Sequence, residues 1–296
     1  MTIFNHIQDY LTFQSSVRKV TEITHRDLNE DLTNWNDWLF NNNIIDPSHL
    51  TPEVLDDWTA YEQGRGIAVN TWNRKATSVR SFLRYCHGRG LIPIPLYDAI
   101  GRSKDQNPKL PKVLSPDQVK AVEEDTEAQN FRAARFMAIW GLMTYEGLRV
   151  GETHKLNMES LTSEQGITAL DVMGKGMRRR LVYLSDKTIN WVNSYLTARK
   201  QYLTWRNLSS NALLVSEQGK RLSIRMMQIM VKKTTHGQAT PHTLRRTAVT
   251  ECVNNLTDLA QLPLVADQFG HTIPIMQKHY LKPKALKILA IKNRVA

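Results

Sequence analysis

Apolar residues recur at helical spacing through the first hundred positions. Leu28, Leu32, Trp35 and Leu39 follow one another at steps of four, three and four, the repeat of one buried helix face. Thr24-His-Arg-Asp27 has the cap-and-acid spacing of a helix start, and Asn41-Asn42-Asn43 ends the run as a turn. Thr51-Pro52-Glu53-Val54 opens another helix with a cap and a proline at its first position. Gly64 and Gly66 close it. A further helix is predicted over about 69–87. Trp72, Ala76, Val79, Leu83 and Cys86 form its apolar stripe, and Arg74, Lys75, Arg80 and Arg84 lie off that stripe. Residues 1–100 therefore read as one all-helical domain.

The pattern then lapses. Residues 101–112, Gly101 to Lys112, hold two prolines, four basic residues and almost nothing apolar, the composition of an extended interdomain linker. Ser115-Pro-Asp-Gln118 restarts the chain with an N-cap, a proline at the first helical position and a capping-box glutamine, which sets a second domain at 113–296. Two packed helices are expected over 116–145, the second burying Phe136, Ile139, Trp140 and Met143. The period changes to two at Ile167–Val172 and Arg180–Leu184, predicting a small antiparallel hairpin. Met173-Gly174-Lys175-Gly176-Met177 would be its turn. Helices resume near 186, with Trp191, Tyr195 and Leu196 as core candidates, and Ser223 begins another whose Met226, Met227 and Met230 read as core filling. The fold class is mainly α, with a small antiparallel sheet in the second domain.

Charge narrows the class of partner. The 296 residues carry 39 Lys and Arg against 28 Asp and Glu, a formal net charge of +11, which favours a polyanion. No apolar run reaches membrane-spanning length, and no basic amphipathic anchor stands apart, so nucleic acid is favoured over membrane. Met1-Thr-Ile-Phe-Asn-His does not read as a signal peptide, and a cytoplasmic location is expected. Cys86 and Cys252 lie far apart in helical patterns, so neither a disulfide framework nor a zinc site is expected. The basic positions Arg74, Lys75, Arg80 and Arg84 suit a helix resting on a DNA backbone; a solvated charged face is the other reading.

Candidate chemistry gathers late in the chain. His242-Thr-Leu-Arg245-Arg246, Phe269-Gly-His271 and His279-Tyr280 fall within forty residues. His242 and Arg245 share a helix face after Pro241, and Gly270 reads as a helix end before Ile273-Pro274 opens another. Guanidiniums, imidazoles and a phenol together suit a phosphate. Upstream, Gly147 breaks a helix and Arg149 opens the next, where backbone N–H groups also face an anion. Taken alone, Arg149 also fits a surface residue paired with Glu152.

These segments in this order resemble the tyrosine recombinases, the phage integrase family. Gly147-Leu-Arg149-Val-Gly-Glu152 resembles the first arginine box, Gly174-Lys175-Gly176 the lysine-bearing hairpin, Pro241-His242-Thr-Leu-Arg245-Arg246-Thr247 the second arginine box, and Phe269-Gly270-His271 with Tyr280 the box of the nucleophile. The likeness spans nearly the whole chain. It is to compact Xer-type recombinases and transposon resolvases rather than to integrases with an added arm-binding domain. Phe269, where leucine is usual, and Thr153, where an apolar residue is usual, are its departures.

The resemblance implies a helical core-binding domain followed by a mixed α/β catalytic domain. It implies strand exchange on double-stranded DNA by a homotetramer on two sites, through a 3′-phosphotyrosyl intermediate and a Holliday junction, without metal or cofactor. Tyr280 would be the nucleophile, Arg149 and Arg245 the phosphate clamp, and Lys175 the acid for the leaving oxygen. His242 would take the tyrosine proton and His271 would hydrogen-bond the phosphate, with their division of labour open. The rivals are a topoisomerase-like or telomere-resolving enzyme and a DNA-binding architectural or regulatory protein that keeps the fold without the reaction.

Overall fold

A computed structural model describes residues 1–104, 112–126, 130–174 and 178–280. The chain forms two compact units, Met1–Lys109 and Leu110–Ala296.

The first unit is built from α1 (Ile3–Ser16), α2 (Glu22–Asn41), α3 (Pro52–Gly64) and α4 (Val69–Gly88). Its core is aromatic. Trp58 lies 6.2 Å from Trp35 and 5.1 Å from Trp72 between ring centroids, and Phe82 joins Trp35 to Tyr10. Each such ring removes about 150–250 Å² from water. The predicted stripe of α4 is buried throughout. Helix α2 starts earlier than Thr24-His-Arg-Asp27 suggested: Thr21 is its extended N-cap and accepts from the Thr24 amide.

The basic face of α4 also needs correction. Lys75 is buried, and its Nζ lies 2.7 Å from Oε1 of Glu62 on α3. It sits three residues after Trp72, at the edge of the buried arc, so its aliphatic stem is covered and its ammonium needs an internal partner. Arg74 is exposed but paired at 2.7 Å with Asp31, a buried carboxylate of α2 that also accepts from Ser78. Arg84 is exposed over the ring of Tyr97 and Arg80 is half-buried. Asn73 ties the first residues beyond this unit's core to α4 through two bonds with the backbone of Ser103.

The second unit begins with α5 (Pro116–Asp125), whose Ser115–Gln118 capping box forms as the sequence suggested, and α6 (Phe131–Thr144). Helix α6 is buried on nearly every side. It packs on α8 (Asp186–Trp205), so closely at Gly141 that an added Cβ would meet Trp191 at 3.0 Å. Between them come α7 (Val150–Lys155) and the antiparallel strands β1 (Leu161–Glu164), β2 (Ile167–Met173) and β3 (Arg179–Tyr183), in that order across the sheet. Strand β1 escaped the sequence because its four residues are exposed or half-exposed and show no alternation. Ala169 pairs with Tyr183 and Val172 with Arg180.

Next come α9 (Ile224–Thr234), α10 (Pro241–Asn254), α11 (Leu262–Phe269) and α12 (Ile273–His279). Of the α9 methionines only Met227 is fully buried; Met226 is exposed, so the methionine group is not a single core cluster. Cys86 is buried and its thiol is pushed up to about 12 by burial, while Cys252 is half-buried and raised for the same reason. Among the described residues no helix is long and apolar enough to cross a membrane.

Candidate active site

The site is assembled from chain breaks. Helix α6 ends at Thr144, and Gly147 follows with φ +61°. A Cβ there would lie 2.4 Å from the Phe269 ring, so glycine is required by space as well as by conformation. Two residues later Arg149 is the extended N-cap of α7. Its backbone N–H donates to Oε2 of Glu152 at 2.8 Å and its Nη1 donates to Oε1 at 2.9 Å. The other end of its fork, Nη2, donates to the carbonyl of Gly270 at 3.2 Å.

Arg245 rises from α10 and is 2% exposed. Its Nη1 donates to the carbonyl of Gly147 and its Nη2 to that of Phe269. Burial first, and then the charge of Arg149, pull its guanidinium down to about 10, so it stays charged at neutral pH. Helix α11 closes with Gly270 in the left-handed region at φ 58°, and the turn delivers His271. Nη2 of Arg245 lies 2.8 Å from Nε2 of His271, and Nδ1 of His271 lies 3.2 Å from the sulfur of Met276. Burial, followed by Arg245 and Arg149, lowers the imidazole to about 4. Tyr280, half-buried at the end of α12, stacks on His271 with centroids 5.7 Å apart.

Arg149, Arg245, His271 and Tyr280 are thus gathered from α7, α10, the α11–α12 turn and the end of α12. His242 stands in the first turn of α10, exposed, with its imidazole lowered by partial burial and then by Arg246, Arg245 and Arg149. It is neutral at physiological pH and able to accept a proton. Lys175 lies outside the described residues. Gly174 donates to the Arg178 carbonyl at 2.8 Å.

Two residues were not singled out for the site in the sequence. Glu152, 5% exposed, accepts from Arg149 and, on both oxygens at 3.0 Å, from Arg180; Arg245 is 3.9 Å away. Burial alone would push this carboxyl up, but the Arg180 and Arg149 hydrogen bonds outweigh it and hold it below the usual range. Arg180 also donates through Nε to the carbonyl of Gln268 at 3.1 Å. The signal for Arg180 was its alternation with Val182 and Leu184, which puts a charge on the inward side of β3. Thr153 is buried, and its hydroxyl donates to the Arg149 carbonyl at 3.1 Å. Among the described residues no group of three or more His, Cys, Asp or Glu is placed to hold a metal ion. Among the described residues the cluster sets Arg149, Arg180 and Arg245 against the carboxylate of Glu152, and Arg246 adds positive charge near His242.

This arrangement of arginines, histidine and tyrosine is carried by a chain that belongs to the phage integrase family. The family matches residues 112–286, and its N-terminal SAM-like domain matches residues 7–90. The protein is a tyrosine recombinase with Xer-type relatives. Tyrosine recombinase XerC of Pseudomonas syringae pv. tomato is 28% identical over 284 residues, covering 90% of this chain and 87% of that protein. The fold is shared with XerH site-specific recombinase bound to difH substrate in a pre-cleavage complex (TM-score 0.71, 15% identity, 97% of this chain and 83% of that one). It is also shared with a lambda integrase tetramer bound to a Holliday junction (TM-score 0.69, 12% identity, 96% and 80%).

Proposed function

We propose that this recombinase cuts and rejoins double-stranded DNA at specific sites through a covalent 3′-phosphotyrosyl intermediate. The observation that carries the reading is the convergence of Arg149, Arg245 and His271 beside Tyr280 on a face with excess positive charge. In this reading the phenolic oxygen of Tyr280 attacks the scissile phosphorus. Its proton passes to His242, and the bond to the 5′ oxygen breaks as Lys175 supplies that oxygen with a proton. Arg149 and Arg245 take the non-bridging oxygens, where charge accumulates; losing one such donor commonly costs on the order of 10²–10³ in rate. His271 completes the phosphate contacts by donating from Nε2, which requires its ring proton to move there as Arg245 turns to the phosphate. Rejoining is the same path reversed with a new 5′ hydroxyl, so the bond energy is kept in the ester and no nucleotide is needed.

Residues 1–100 serve as the core-binding domain, with Arg74, Arg80 and Arg84 facing the DNA backbone, and 113–296 as the catalytic domain. Four copies act on two sites and pass through a Holliday junction, an assembly supported by the likeness to the lambda integrase tetramer. On nicked duplexes that trap the cut strand, the wild type is expected to give a protein–DNA adduct on a denaturing gel and Tyr280→Phe none. An adduct from Tyr280→Phe would remove Tyr280 as nucleophile. Binding without any adduct from the wild type would favour a DNA-binding protein that does not cut.

A further inference from the structure

Glu152 poses an electrostatic problem. It places a buried carboxylate within the reach of both arginines that are read as phosphate ligands. Left to itself, it would draw Arg149 into a two-pronged pair, the strongest geometry open to a guanidinium and a carboxylate, and so away from an incoming phosphate. The structure shows a different arrangement. Arg180 occupies the fork position, Nη1 to Oε1 and Nη2 to Oε2, both at 3.0 Å. Arg149 keeps only one side-chain bond to Glu152, and its second nitrogen is turned to Gly270.

We propose that Arg180 is a positioning residue for the recombination site: by saturating Glu152 it holds the Arg149 guanidinium in a phosphate-binding pose. The inference rests on the reading of Arg149 as a phosphate ligand. Arg180 is built into its place. Its side chain is 9% exposed, and each of its three nitrogens has an acceptor. The Gly270 turn lies against it, so that a Cβ at Gly270 would come within 3.2 Å of its Cζ. Arg180 thus reaches three segments at once: β3, the start of α7, and the end of α11 that leads to His271.

Arg180 is not what attaches β3 to α11. Gln268 does that separately: its side-chain amide donates to the Tyr183 carbonyl at 3.0 Å and its side-chain oxygen accepts from the Tyr183 amide at 3.3 Å. Loss of Arg180 leaves this tie intact. What it removes is the partner of Glu152.

The test compares Arg180→Lys and Arg180→Gln with the wild type, each alone and combined with Glu152→Gln. Lysine keeps the charge but not the fork. Both single variants should retain the wild-type circular dichroism and DNA affinity. Their first-order rate of adduct formation at saturating DNA should fall on the order of a hundredfold, the cost of an ångström-scale misplacement. In the Glu152→Gln background, where no carboxylate competes for Arg149, the further loss should be small. Wild-type cleavage by Arg180→Lys, or equal losses with and without the Glu152 carboxylate, would overturn the proposal. A second measurement does not depend on cleavage. The side-chain guanidinium resonances of Arg149 in the free protein should move in Arg180→Lys, and unchanged resonances would also overturn it. If the wild type forms no adduct while those resonances do move, the fault lies with the recombination reading and not with Arg180.

Discussion

Arg245 fixes the proton of His271. A guanidinium can only donate, so Nε2 of His271, 2.8 Å from Nη2 of Arg245, must be the acceptor. The ring proton then resides on Nδ1, facing the sulfur of Met276 at 3.2 Å. His271 is therefore a neutral imidazole of one defined tautomer in the free protein. Nitrogen chemical shifts of His271 should report protonated Nδ1 and bare Nε2 at neutral pH.

The same contact gives stability a pH dependence. His271 is lowered to about 4 from an ordinary value of 6.5. Between those limits the unfolded chain binds a proton that the folded chain refuses. Stability therefore falls as pH drops from about 6.5 toward 4, and the contribution is fully present above 6.5. The difference between wild-type and His271→Gln urea midpoints should show this slope. His242, also lowered, adds a slope of the same sign that remains in the variant. A difference that is flat from pH 4 to 7 would contradict the buried, arginine-flanked imidazole.

Gly147→Ala should be costly for reasons that lie outside the reacting groups. The left-handed backbone costs an alanine about 1–2 kcal/mol. The Phe269 ring, 2.4 Å from the new methyl, adds an overpacking term of about 1–3 kcal/mol. Urea unfolding measures the sum. Adduct formation should fall as well, because the Gly147 carbonyl that holds Arg245 must shift.

Leaving-group chemistry tests the role assigned to Lys175. Lys175→Met should slow adduct formation by about 10²–10⁴-fold if lysine is the general acid. A substrate with sulfur in place of the bridging 5′ oxygen leaves as a thiolate without needing that proton, so it should restore most of the rate. Equal impairment on both substrates would move the acid elsewhere.

The basic positions of α4 should separate into two classes. Removing Lys75 leaves the buried Glu62 carboxylate only the exposed Arg65 at 3.5 Å, and losing the partner of a buried pair costs up to about 3–5 kcal/mol; the effect should appear in unfolding and not in the salt dependence of binding. Arg80→Ala or Arg84→Ala should instead weaken DNA binding, each lowering the logarithmic salt slope by about 1 for a lost phosphate contact. Filter binding across salt concentrations distinguishes the two.

What the sequence made legible follows from where the residues of the proposed site sit. Arg149, His242, His271 and Tyr280 lie at helix ends, and helix ends are marked by glycine, proline and capping residues such as Gly147, Pro241 and Gly270. Local spacing therefore pointed at them. Glu152 was visible only as a neighbour of Arg149, because its partner Arg180 is 28 residues away in sequence. Lys75 was misread because the buried arc of α4 is wider than a single stripe, and only packing against α3 reveals the carboxylate waiting for it. The start of α2 depended on whether Thr21 or Thr24 takes the cap, and both are threonines with helical sequence behind them.

The acceptors that hold Arg245 have an evolutionary consequence. Two of them, on Gly147 and Phe269, are main-chain carbonyls, and such atoms are present whatever residue occupies the position. The location of this arginine is encoded in backbone shape more than in the identity of its neighbours. Saturation mutagenesis around it should therefore find broad tolerance at exposed positions such as Leu264 of α11, and sharp intolerance at Gly147 and Gly270, where a side chain would bend the path of the chain. A lineage can rewrite most of the surrounding letters and still keep the guanidinium in place.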